Sequence, residues 1–336
     1  MRCATGWTRV AAEPALLAIR SLAIGYPDAT PPVEALNGVD LDLAAGRRLG
    51  IVGESGAGKS QLALAIPGLL PPGARVSGTI RFRGEEILGS PPARLRALRG
   101  AAIGFVFQDP QAALTPHLKV GTQLIEALRA HESIGVAAAR ERARRLLERV
   151  QVPDAARRLG QYPHELSGGL RQRVVIAMAL IASPALLIAD EPTTALDVTV
   201  EADILALFRA LTMELGTALL LISHDLAVVG SLCDDIAVLY AGRVVESGAA
   251  RAVLGAPAHP YTHALAAATP ALEASADAPL AAIPGSAPRP GETFPGCAFA
   301  PRCPRRIARC TSERPLLGPG PGGTQVACHR PLGGNR

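Results

Sequence analysis

Eight consecutive residues, Gly53-Glu54-Ser55-Gly56-Ala57-Gly58-Lys59-Ser60, place three glycines before a lysine and a hydroxyl. This fits G-x-x-x-x-G-K-[ST], a pattern whose chemistry is phosphate binding. The glycines let successive backbone N–H groups turn inward around an anion. A helix opening at the end of the loop adds positive potential. Lys59 is then placed to reach β- and γ-phosphates, and the Ser60 hydroxyl to ligate Mg²⁺. Only one other lysine, Lys119, occurs in the chain.

A second set lies downstream. Asp190 and Glu191 follow the apolar run 186–189. Asp190 can hold Mg²⁺, directly or through water. Glu191 is placed where a carboxylate can polarise an attacking water. Acids after a strand also begin loops or cap helices; beside a phosphate loop the catalytic reading is the stronger. Leu166-Ser167-Gly168-Gly169 precedes an apolar helical stretch, and a serine with two glycines at a helix start makes a further anion site. Gln108 follows the run 102–107, Thr194-Ala195-Leu196-Asp197 follows the acids, and Ile222-Ser223-His224-Asp225 ends another apolar run. A lone glutamine or histidine carries little by itself.

The elements that must position these groups are legible in the pattern. Short apolar runs at 48–52, 102–107, 185–189 and 218–222 read as buried parallel strands, each followed by a polar or glycine-rich turn. Alternating segments near 16–24, 36–43, 78–83 and 236–245 read as antiparallel strands. A helix is expected after the phosphate loop over 61–64. A long helical insert separates the second and third parallel runs. Within it, 136–150 puts Val136, Ala139, Ala143, Leu146, Leu147 and Val150 on one face, with Glu141 set to pair with Arg145. The fold class is α/β.

Composition sets the limits. A chain of 336 residues suggests about two domains. With 49% hydrophobic and 19% charged residues it is not a disordered chain. At 3% aromatic it lacks the makings of a base-stacking platform, and no nucleic-acid partner is expected. Mean hydropathy is +0.24. The longest apolar run, 174–189, is nevertheless broken by Ser183 and Pro184. It is shorter than the roughly 20 residues of a membrane span, and reads as a buried helix followed by a buried strand. The N-terminus shows no apolar signal-peptide region, so a cytosolic setting is expected, where disulfides are rare. Eight arginines and two glutamates lie between Arg289 and the C-terminus, leaving the rest of the +5 chain at −1. That basic tail reads either as a solvated segment or as a patch beside an anionic partner.

Taken together, the phosphate loop, Gln108, Leu166–Gly169, Asp190-Glu191, Asp197 and His224 resemble, in order and spacing, the ATP-binding subunit of an ABC transporter. The likeness covers about 15–255. It implies a P-loop cassette with an antiparallel β subdomain and a helical subdomain near 110–182. It also implies a head-to-tail dimer in which each ATP sits between one subunit's phosphate loop and the other's Ser167-Gly168-Gly169. Gln108 would sense the γ-phosphate and share Mg²⁺ with Ser60 and Asp190. The helical insert beside it would dock on membrane subunits. Asp197 would belong to the nucleotide contacts, and His224 would meet the γ-phosphate and the attacking water. Tyr26 is placed like the aromatic that stacks on adenine.

A narrower resemblance, to the oligopeptide/dipeptide permease subfamily, rests on Phe107-Gln108-Asp109-Pro110, Tyr162-Pro163-His164-Glu165 and Tyr240-Ala241-Gly242-Arg243. It extends into the tail through His259-Pro260-Tyr261-Thr262, Gly296-Cys297, Pro301-Arg302-Cys303-Pro304 and Val326-Ala327-Cys328-His329. It implies two transmembrane permease subunits, a second and different ATP-binding subunit, an extracytoplasmic peptide-binding protein, and a place on the cytoplasmic face of the membrane. Related nickel importers share the core, and a soluble ABC ATPase without transport is the other alternative. Leu170 departs from the general signature, where glutamine is commonest. Residues 1–14 would be an extension and 256–336 a small Cys-rich domain.

Of six cysteines, Cys3 reads as an incidental terminal thiol and Cys233 as a small core residue. The other four, Cys297, Cys303, Cys310 and Cys328, are separated by five, six and seventeen residues. No close pair typical of structural zinc is present among them. The wider spacing suits a four-thiolate cubane, and the subfamily resemblance implies a 4Fe–4S cluster. Free reduced thiols are the alternative.

Overall fold

The computed structural model describes residues 15–194, 196–268, 282–289 and 291–333. The expected extension 1–14 with Cys3, and Ala195 of the Thr194–Asp197 motif, lie outside them. In chain order the strands are β1 (Ala15–Tyr26), β2 (Val33–Ala44), β3 (Arg48–Val52), β4 (Arg75–Phe82), β5 (Glu85–Glu86), β6 (Ile103–Val106), β7 (Leu186–Asp190), β8 (Ala218–Ser223), β9 (Asp235–Tyr240), β10 (Arg243–Ala249), β11 (Gly318–Pro319) and β12 (Gln325–Val326). The chain divides into two units, one of residues 1–44, 48–88 and 222–336, the other of 45–47 and 89–221.

The first unit holds an antiparallel sheet ordered β2-β1-β4-β5 and a strand series β11-β12-β10-β9-β3. In the antiparallel sheet Ile19 faces Leu41 and Ile80 across the two neighbours of β1. Ile19, Leu22, Ile24, Leu36 and Val39 are fully buried, and register shifts between Ile19 and Leu22 break the two-residue alternation of side chains along β1. The segment 236–245, expected as a single antiparallel strand, is instead two strands. Ala241 and Gly242 both take positive φ, 47° and 73°, and make a two-residue hairpin turn. Strand β9 then runs parallel to β3, Leu49 opposite Asp235, while β10 returns antiparallel, Arg243 opposite Tyr240. The tail beyond residue 256 falls within this unit, and β12 pairs with β10 at Val326 and Glu246.

In the second unit β6 and β7 are parallel, Ile103 opposite Leu186, and β8 lies next to β7. All residues of β7 are buried, as expected of a strand covered on both faces. Helix Val120–Arg129 packs on helices Val136–Arg149 and Gly168–Leu180. Ala139, Ala143, Leu146 and Leu147 are buried as their helical spacing predicts, but Val136 is 56% exposed at the helix start. Glu141 makes its closer ion pair with Arg144, at 2.6 Å, and reaches Arg145 only at 3.7 Å. No helix of the described residues is long and apolar enough to cross a membrane.

Candidate functional site

The phosphate-loop sequence begins where β3 ends. Gly53 is buried, and a Cβ there would stand 2.2 Å from the Leu239 carbonyl oxygen of the neighbouring strand. At the other end Gly58 has φ +101°, and a Cβ would meet the Ala35 carbonyl oxygen at 2.4 Å. Only glycine satisfies both demands there. Gly58 is the N-cap of helix Lys59–Ala65, which begins two residues earlier than its apolar pattern indicates. The loop is fixed from below by Gly242, whose N–H donates to the Ala57 carbonyl at 3.0 Å. Lys59 is 5% exposed and donates from Nζ to the Gly53 and Glu54 carbonyls at 2.7 and 3.0 Å. Ser55 and Gly56 at the crown are exposed, and Ser60 is half-buried.

Two residues of the tail hold the second position of the loop. The Glu54 N–H donates to Tyr261 Oη at 2.8 Å. The Glu54 carboxylate accepts two bonds from the Arg302 guanidinium, 2.6 Å from Nη1 and 3.0 Å from Nη2. These partners lie 207 and 248 residues away in sequence, and no local pattern signals them. In the sequence Tyr261 stands within His259-Pro260-Tyr261-Thr262 and Arg302 within Pro301-Arg302-Cys303-Pro304. Tyr26, at the end of β1, donates from Oη to Gln61 Oε1 on the helix that follows the loop. Burial raises its pKa above the ordinary tyrosine value. His224, the residue after β8, belongs to the first unit and is exposed.

In the second unit Asp190 ends β7 at 7% exposure. Glu191, the next residue, stands at φ +45°, an uncommon backbone for a residue with a side chain. Its Oε2 accepts from Gln108 Nε2 at 3.2 Å and from Thr194 Oγ1 at 3.0 Å. Sequence therefore identified two of these three groups and missed Thr194 as a partner. Ser167 is the N-cap of helix Gly168–Leu180, and its Oγ accepts from Leu170 N. Ser167 and Gly168 are exposed, and Gly169 is half-buried. Four residues on from Gly168, Gln172 Nε2 donates to the Pro192 carbonyl at 2.6 Å, tying that helix to the acid turn. Asp197 caps helix Val198–Leu215, accepting from Val200 N at 2.9 Å, and remains exposed.

Ser60 in the first unit, and Gln108 and Asp190 in the second, each carry a hard oxygen of the kind Mg²⁺ takes. The cysteines need a different account. Cys297, Cys303, Cys310 and Cys328 line one cavity together with His259 and His329, so their chemistry matches a thiolate-held centre. The space does not: the cavity measures about 10 Å³, the room of one water. A four-iron core would require the thiols to move outward. Among the described residues no group of three or more His, Cys, Asp or Glu is arranged to hold a metal ion, and the iron–sulfur expectation is not supported. Burial raises the pKa of Cys297 and Cys303 above the ordinary thiol value and that of Cys328 to about 11, so these side chains are thiols at neutral pH. Cys233 is buried as a core residue, as its sequence context indicates.

Comparison with known proteins bears on the same residues. Residues 36–194 match the ABC transporter family, and residues 245–310 match the oligopeptide/dipeptide transporter C-terminal region. The chain is 46% identical over 318 residues to the oligopeptide transport ATP-binding protein OppD of Escherichia coli (strain K12), covering 95% of this chain and 94% of that protein. It is 44% identical to the dipeptide transport ATP-binding protein DppD of the same strain, covering 95% and 97%. Among solved structures, a dimeric post-hydrolysis state of the ATP-binding cassette MJ0796 with ADP and Pi is similar at a TM-score of 0.62 and 28% identity, covering 70% of this chain and 99% of that one. On these grounds the chain belongs to the ATP-binding subunits of ABC transporters, in the oligopeptide/dipeptide transporter branch.

Proposed function

We propose that this chain is the ATP-hydrolysing subunit of an importer that carries dipeptides or oligopeptides across the cytoplasmic membrane. The observation that carries this reading is the pairing of an intact phosphate loop with a tail matched to the oligopeptide/dipeptide C-terminal region. Gly53–Ser60 is the phosphate cradle, with Lys59 as the contact to β- and γ-phosphates. Tyr26 is the adenine-stacking residue. Glu191 is the group that polarises the attacking water, held by Gln108 and Thr194, and His224 steadies the γ-phosphate. Ser60, Gln108 and Asp190 are the Mg²⁺ ligands, and the ion neutralises phosphate charge when bound. Ser167, Gly168 and Asp197 are exposed and Gly169 is half-buried, which suits groups offered to another subunit's nucleotide.

The division that follows is a cassette over 15–255 and a C-terminal region over 256–336. The partners are two membrane permease subunits, a second and different ATP-binding subunit, and an extracytoplasmic peptide-binding protein, with this chain peripheral on the cytoplasmic face. The deciding experiment reconstitutes the chain with these partners in vesicles and follows ATP turnover and solute uptake. Turnover stimulated by short peptide supports the reading. Stimulation by nickel alone, or ATPase that never associates with membrane proteins, replaces it.

In this reading the four tail cysteines would take up an iron–sulfur cluster with a structural role only if their thiols moved outward from the small cavity they line. Their support is the shared cavity. Anaerobic purification should give about four iron per chain and a broad absorption near roughly 400 nm, as a Cys₄ cubane does. Stoichiometric zinc would replace the cluster, and no metal would leave free thiols.

A further inference from the structure

The phosphate loop carries an acid at its second position. A carboxylate there faces the wrong way electrostatically: it adds negative charge beside a polyanion, and like charges at such range oppose one another. In this chain the charge is met by Arg302. The guanidinium is 6% exposed and grips Glu54 through both terminal nitrogens, at 2.6 and 3.0 Å. This two-pronged geometry is one that lysine does not reproduce. Arg302 is itself held: Nε donates to the Pro284 carbonyl at 2.8 Å and Nη1 also reaches Tyr240 Oη at 3.3 Å. Its guanidinium lies 5.9 Å from the Phe299 ring centroid, in an aromatic group with Tyr240 and Tyr261. Tyr261 from that group receives the Glu54 N–H. The tail's buried arginine therefore serves neither a solvated segment nor a lipid-facing patch.

We propose that Arg302 is a positioning residue of the nucleotide site, supplied in cis by the C-terminal region, which neutralises and orients Glu54 so that the loop accepts the β- and γ-phosphates. The inference rests on the phosphate-loop reading above. Removing the guanidinium leaves a carboxylate whose charge is uncompensated beside the phosphates, and ATP affinity falls. Removing the carboxylate as well takes away the cause. A residue that merely stabilised the tail would show no such reversal.

The test is equilibrium ATP binding to the full-length chain, with KM and kcat for the reconstituted transporter. Arg302→Gln should raise the ATP dissociation constant about tenfold, the effect of roughly 1.4 kcal/mol, and act on KM more than on kcat. Adenosine, which lacks phosphates, should bind Arg302→Gln as it binds wild type. The double variant Arg302→Gln/Glu54→Gln should recover most of the lost ATP affinity. Should Arg302→Gln fail to fold, Arg302→Lys keeps the charge without the fork and should give a smaller loss, again relieved by Glu54→Gln. An ATP affinity within twofold of wild type in Arg302→Gln, or a double variant as weak as the single, overturns the proposal. Lys59→Ala separates the two readings: if it too leaves ATP binding intact, the phosphate-loop assignment fails; if it abolishes binding while Arg302→Gln does nothing, only the role of Arg302 fails.

Discussion

Gln108 Nε2 donates to Glu191 Oε2 at 3.2 Å, joining the second residue after β6 to the residue after β7. Thr194 Oγ1 donates to the same oxygen at 3.0 Å. Two donors on one oxygen fix the carboxylate's rotation. Glu191→Gln should therefore keep ATP binding and remove hydrolysis. A glutamine side chain is isosteric but takes no proton, and general-base catalysis contributes about 10²–10⁴ in rate. Turnover should fall by that range, with an ATP-dependent closed dimer accumulating in the presence of the partner subunit. Turnover at the wild-type rate would remove Glu191 from the mechanism.

Thr194→Val tests the same oxygen from its other side. Valine keeps the volume and deletes the hydroxyl donor, so the carboxylate loses one of two restraints while its charge stays. Hydrolysis should slow by about tenfold, the scale of one lost hydrogen bond to a charged group, with little change in ATP affinity. An equal loss in both quantities would mean that Thr194 supports the turn as a whole.

Gly58 and Gly56 both take positive φ, 101° and 80°, but their surroundings differ. A Cβ on Gly58 meets the Ala35 carbonyl oxygen at 2.4 Å, whereas one on Gly56 meets nothing within 4 Å. Gly56→Ala should then show backbone strain alone, about 1 kcal/mol of stability. Gly58→Ala should lose more, about 3 kcal/mol or above, because backbone must move as well. Denaturant midpoints of the nucleotide-free chain measure both. Equal losses would show that strain dominates and that the approach to Ala35 is relieved elsewhere.

The phosphate loop and acid turn were legible because each is local: a fixed spacing on one strand–turn–helix passage. Strands β3, β7 and β8 were legible for the same reason, as apolar runs with clear ends. The hairpin at Ala241-Gly242 was hidden because alanine is not a residue that announces a positive φ, so β9 and β10 read as one strand. In the sequence Arg302 is one of the eight arginines between Arg289 and the C-terminus. Net charge records how many guanidinium groups exist and nothing about which are buried. Its partner Glu54 lies 248 residues earlier, a distance at which only the folded chain discloses the contact. The cysteine spacing permitted a cluster, and the fold brings the four side chains to one cavity without the room for it.

Glu246 of β10 links that strand to the start of the tail. It is fully buried, and its two carboxylate oxygens accept from the Ala258 N–H at 2.7 Å and the His259 N–H at 2.9 Å. Burial nonetheless dominates and raises its pKa above the ordinary glutamate value, against the opposing pull of its hydrogen-bond donors. A raised folded value means the native chain binds this proton more tightly than the unfolded chain. The stability contributed is fully present below the unfolded pKa and is lost as pH rises through the folded one. Glu246→Gln abolishes the titration and turns one acceptor into an N–H₂ group facing a backbone N–H. It should cost about 1–3 kcal/mol, the scale of a buried donor left unpaired. The gap in melting midpoint between wild type and Glu246→Gln should be widest near pH 4 and narrow toward pH 8. Circular dichroism melts of the full chain across that range read the difference directly. A gap that widens with pH would mean that the two backbone donors outweigh burial and that Glu246 is held as the anion.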